Sequence, residues 1–127
     1  MVYIWFLSII FIVHYLSDFF VQVYTTKNHQ NWFRTLVTHT VAYIFVMIFG
    51  ITVLQAAFPT VHIAPSSFIF FIAINTVAHF LMDLLTLRLT EKLKHYHELN
   101  SYVNVIAFDQ CIHYITLLLT FGYFFMN

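Results

Sequence analysis

The stretch from Ser66 to Leu89, SSFIFFIAINTVAHFLMDLLTLRL, decides the fold. It is 24 residues of almost unbroken apolar sequence, and about 20 suffice to cross a bilayer as a helix. Among its few polar residues, Asn75, His79 and Asp83 stand at successive i+4 positions. On a helix that spacing places them on one face, one turn apart. A segment with apolar surroundings and one polar stripe predicts a membrane helix that turns the stripe inward against other helices.

Three further apolar stretches share this design. Residues 2–24 carry His14, Asp18 and Gln22, residues 35–58 carry His39 and Tyr43, and residues 102–125 carry Asp109, Gln110 and His113. With residues 66–89 they make four spans, so the expectation is an all-α, integral membrane four-helix bundle forming one domain over residues 1–127. Pro65 and the Ser66–Ser67 pair predict the start of the third helix at Ser66. The first stretch reads as a span and not as a cleaved signal peptide, because it lacks a basic leader and a small-residue cleavage site.

The composition agrees. Of 127 residues, 61% are hydrophobic and only 8% charged, against about 25% charged in soluble domains. Net charge is zero, which gives a nucleic-acid partner no electrostatic support and leaves the lipid bilayer as the expected partner. The single cysteine, Cys111, excludes an intramolecular disulfide and a cysteine-based zinc cluster, and is expected to be a packing residue. No small-x-x-x-small motif specifies a homo-oligomer, although a bundle this small leaves room for one.

The five basic residues set an expected topology. Lys27 and Arg34 fall in or beside the first connection, and Arg88, Lys92 and Lys94 at or beyond the end of the third span. By the positive-inside rule, both termini face outward and the first and third connections face the cytoplasm of a cell's inner membrane. His14, Asp18, His39, His79, Asp83, Asp109 and His113 then all fall in the cytoplasmic half of the membrane, at similar depth. A carboxylate at that depth costs a few kcal/mol, and no Lys or Arg shares the layer to offset Asp18, Asp83 and Asp109. A cation is the simplest compensation.

The donor set selects a class of cation. Imidazole with carboxylate suits zinc first, with iron and manganese as alternatives, whereas calcium and magnesium prefer oxygen. Four His and three Asp exceed one tetrahedral zinc shell. Two arrangements therefore stay open: two ions with bridging carboxylates, or one ion with the remaining residues acting as orienting partners and general base. Bound water acidified to a pKa near 7 is the basis for expecting hydrolysis. Asp18 and Asp109 are the candidate catalytic bases. Gln22, Tyr43, Asn75 and Gln110 are expected to orient the ligands or bond between helices. Lys27 is a candidate contact for a substrate's anionic head group. His29, His95 and His97 read as loop residues, and His62 as lying at the wrong end of the bundle.

Taken in order, H-x-x-x-D-F-x-x-Q (His14, Asp18, Phe19, Gln22), Lys27, H-x-x-x-Y (His39, Tyr43), N-x-x-x-H-F-x-x-D (Asn75, His79, Phe80, Asp83) and D-Q-x-x-H (Asp109, Gln110, His113) form one pattern over nearly the whole chain. The pattern resembles the domain-of-unknown-function 3307 family of small bacterial and phage membrane proteins. It is also loosely similar to membrane-bound metal-dependent hydrolases of the alkaline ceramidase and adiponectin-receptor group. Those set His and Asp from several membrane helices around zinc, but they have more spans, so the likeness concerns ligand chemistry and carries over neither fold nor a ceramide substrate. The leading expectation is a metal-dependent hydrolase acting on an amphipathic or lipid-like substrate. A small metal-ion or proton carrier is the alternative, and a membrane interaction protein with a structural polar cluster is the third reading.

Overall fold

The computed structural model describes residues 2–26, 32–95 and 99–126, and of these all side chains except those at positions 20–26, 94, 95, 99 and 102. Four helices account for nearly all of it: α1 Val2–Thr26, α2 Trp32–Ala57, α3 Pro65–His95 and α4 Leu99–Phe125. Among the described residues there is no strand. All four helices are long and apolar enough to cross a membrane.

The helix ends differ from the expected spans in two informative ways. Helix α3 begins at Pro65, one residue before the Ser pair, and Ala64 O accepts the Phe68 N–H at 3.0 Å. Proline's fixed φ suits the first helical position, where its missing N–H costs nothing. At its other end α3 runs past Leu89 through Thr90-Glu-Lys-Leu-Lys to His95. That segment is polar, but Glu, Lys and Leu are good helix formers and no Gly or Pro stops them.

The helices alternate in direction. Phe6, near the start of α1, meets Phe58 just past the end of α2 (ring centroids 6.5 Å apart) and Phe121 and Phe125 at the end of α4 (6.0 and 6.4 Å). Phe71, near the start of α3, packs on Phe125 at 4.6 Å. Helices α1 and α2 pack closely, as do α3 and α4, with α2 against α3 next and α1 against α4 least. The bundle is thus two antiparallel hairpins side by side.

Its interior divides along the axis. The end holding the 58–64 connection is filled by Phe6, Ile10, Met47, Ile51, Leu54, Val61, Ile63, Phe71, Leu117, Phe121 and Phe125. The other half buries His14, Asp18, His39, His79, Asp109 and His113. The outside is inverted relative to a water-soluble bundle: Phe49, Phe45, Tyr123, Ile4 and Leu119 are among many large apolar residues that stand exposed. Cys111 also faces outward on α4 and is free, so it is a surface residue, contrary to the packing role expected of it. Hydroxyls inside the apolar helices are satisfied locally, as Thr40, Thr52, Thr116 and Thr120 each donate to the carbonyl four residues back.

Gly50 sets the approach of α1 and α2. A Cβ at this position would lie 2.7 Å from Val13 Cγ1, inside any tolerated contact. Gly50→Val is expected to lower the stability of the detergent-solubilised protein by about 1–3 kcal/mol, the usual cost of overpacking. Adding Val13→Ala should recover much of that loss in a thermal melt followed by circular dichroism. An equal loss in single and double variants would show that this contact does not fix the hairpin.

Candidate metal centre

Each helix delivers its polar residues to the same layer. His14 and Asp18 come from α1, His39 from α2, His79 and Asp83 from α3, and Asp109 and His113 from α4. His79 stands at the middle. Its ring stacks on Tyr43 at 4.0 Å, lies 4.5 Å from the His113 ring and 5.2 Å from that of His39, and meets His14 edge-on at 5.8 Å.

Four groups converge on one point. His39 Nε2 is 2.9 Å from Asp18 Oδ1, 3.2 Å from Asp83 Oδ2 and 3.2 Å from His79 Nε2. His79 Nε2 is in turn 3.3 Å from Asp83 Oδ2 and 3.9 Å from Asp18 Oδ1. One imidazole N–H serves one acceptor well, so hydrogen bonds alone do not account for two carboxylates and two ring nitrogens facing a single point. Ligand atoms 2.0–2.1 Å from a tetrahedral zinc stand roughly 3.3 Å apart. The separations here, 2.9–3.9 Å, bracket that spacing. Coordinating atoms of Asp18, His39, His79 and Asp83 all lie within 4.8 Å of one another, as do those of two further trios, His14–Asp18–His113 and Asp83–Asp109–His113.

The surroundings orient these groups. Gln110 Nε2 donates to Asp18 Oδ2, so both oxygens of that carboxylate are engaged. Thr86 Oγ1 donates to Asp109 Oδ1 at 2.9 Å, while Asp109 Oδ2 faces His113 Nδ1 at 3.6 Å, beyond a good hydrogen bond. Tyr43 holds His79 by ring stacking. Of the two parts expected of it, Asn75 takes the interhelical one, since it bonds none of the seven. Its Nδ2 donates to Phe71 O and to Thr120 Oγ1, both at 2.8 Å, and so ties α3 to α4 one turn deeper in the apolar half. The Gln22 side chain and Lys27 lie outside the described residues, as do His29 and His97, and His62 is exposed at the opposite end of the bundle. Thr86 was not singled out by the sequence reading, although it sits three residues after Asp83 and thus on the same helical face.

Among the described residues, the buried side-chain polar atoms without a hydrogen bond are all imidazole nitrogens of this cluster: both nitrogens of His14 and His113, and Nδ1 of His39 and His79. An unsatisfied buried polar group costs about 1–3 kcal/mol, so their concentration in one layer marks chemistry that hydrogen bonding leaves unfinished.

No family profile, curated protein or solved structure matches the chain.

Removing one member of a buried pair strands the other. His39→Leu, which leaves Asp18 and Asp83 without their shared partner, is expected to cost about 3–5 kcal/mol in a denaturant titration. Asn75→Leu, which removes one interhelical hydrogen bond, should cost about 1 kcal/mol. Comparable losses in the two variants would show that His39 is not the partner on which the burial of Asp18 and Asp83 depends.

Proposed function

We propose that this chain is a multi-pass protein of the cytoplasmic membrane, with both termini outside, and that its buried His/Asp layer is the centre of a metal-dependent hydrolase. The observation that carries the proposal is the convergence of two carboxylates and two imidazoles, from α1, α2 and α3, at the ligand spacing of a divalent ion. The apolar exterior and four helices long and apolar enough to cross a bilayer support the membrane setting. The distribution of Lys and Arg supports placing the centre on the cytoplasmic side.

In this reading Asp18, His39, His79 and Asp83 hold the ion. Zinc is the first choice for the donor set, with iron or manganese as alternatives. A bound ion would supply Lewis acidity there, and an acidified water where its shell opens to a fifth ligand. Asp18, with both oxygens engaged by His39 and Gln110, serves as a fixed ligand. Asp109 is the better general base, since Thr86 orients its carboxylate through Oδ1 and leaves Oδ2 to take a proton. A largely apolar surface crevice of about 210 Å³ lies between α3 and α4, lined by Met82, Leu85, Leu89, Asn104, Val105 and Phe108. Thr86 is also in that lining, so an alkyl chain seated there reaches the residue that touches Asp109. This supports an amphipathic or lipid-like substrate.

Elemental analysis of the protein, purified in detergent without chelators, should find a divalent transition metal that His79→Ala loses. A folded wild type carrying none overturns the proposal. Asp109→Asn should retain the metal while hydrolysis of fluorogenic lipid esters and amides falls by about 10²–10⁴-fold.

A further inference from the structure

The four ligands just assigned leave His14 and His113 unexplained. His14 has no exposed surface and His113 only 3%, yet neither ring nitrogen of either residue has a hydrogen bond. Bulk solvent therefore does not reach them, and the neighbours of His14 include the aromatic rings of Tyr43 and Tyr114, each with ring centroids at 5.4 Å. A histidine kept only for packing would be replaceable by an aromatic or aliphatic residue without the cost of stranded polar atoms. His14 also lies beside His113, ring centroids 5.5 Å apart, and coordinating atoms of His14, Asp18 and His113 fall within 4.8 Å of one another.

We infer that His14, His113 and Asp18 form a second ion position, with Asp18 shared between the two ions. The inference rests on the metal reading above and deepens it to a two-ion centre. Asp18 already turns Oδ1 toward His39 and belongs to both ligand groups. Asp83 extends the same connection, since its Oδ2 faces His39 and His79 while its Oδ1 lies 3.6 Å from His113 Nε2. Carboxylates placed between two imidazole pairs are the arrangement that two ions about 3.5–4 Å apart require. The competing trio, Asp83–Asp109–His113, leaves both nitrogens of His14 stranded, and its Asp83 is less deeply buried. The His14 trio engages one stranded nitrogen on each of the two histidines.

The test is the stoichiometry of the full chain in detergent, stripped and then saturated with Mn²⁺ alone. Bound metal is counted by mass spectrometry and its magnetism read by electron paramagnetic resonance. Wild type should bind two ions per chain and show an exchange-coupled signal. His14→Gln and His113→Gln should each bind one ion and give the signal of an isolated Mn²⁺. A wild type that saturates at one ion overturns the second position and leaves the first intact. Two ions retained in both Gln variants, or one ion lost in Asp109→Asn instead, also overturns it. No bound ion in wild type overturns both readings. Where a Gln variant fails to fold, wild-type stoichiometry still decides whether a second ion binds, and Asp109→Asn decides which trio holds it.

Discussion

Three carboxylates and four imidazoles held inside an apolar bundle form the constraint on which this molecule turns. Each of these groups is expensive to bury, and they are buried together. Every helix is committed to that layer: α1 and α3 each bring an i, i+4 His–Asp pair, α4 brings the reversed Asp–His pair, and α2 brings His39 into the gap between Asp18 and Asp83. The apolar half of the bundle explains how such a layer is tolerated. Its interlocked phenylalanines, with Gly50 letting α1 and α2 close on each other, fix helix positions well enough that polar atoms meet at defined distances. A looser bundle would let His39 and His79 find separate partners.

Much of the architecture is legible in the sequence. Four apolar stretches gave four helices because no other secondary structure satisfies so long an apolar backbone without an outside partner. Helix ends were less legible, because hydropathy reports what the surroundings accept and not where hydrogen bonding stops. Hence α3 continues through Thr90–Lys94, whose residues are polar yet helix-forming. Periodicity put His79 and Asp83 on one face, but it could not reveal that both turn toward His39, 40 residues away from His79 in sequence. Cross-helix choices of this kind depend on rotation and depth, which a one-dimensional pattern does not carry. Asn75 shows the limit well. It continues the His79–Asp83 stripe, yet one turn of depth takes it to Thr120 in place of the cluster. Thr86 shows the reverse, an inconspicuous hydroxyl made relevant only by the arrival of Asp109 from α4.

The hairpin arrangement has a consequence for biogenesis. Helices α1 and α2 form one closely packed unit and α3 and α4 another, and the residues of the polar layer are divided between them. One hairpin supplies His14, Asp18 and His39, and the other supplies His79, Asp83, Asp109 and His113. During synthesis the first hairpin is complete while the second is still being made, so for that interval Asp18 and His39 have only each other. Gln110, His79 and Asp83 reach them when the second hairpin docks. A membrane protease or chaperone that senses exposed intramembrane charge would therefore discriminate half-assembled chains from finished ones by the same atoms that converge in the finished bundle. Severed within the 58–64 connection and produced as two pieces, the chain would carry its own reporter of reunion, since neither piece alone holds Asp18, His39, His79 and Asp83 together.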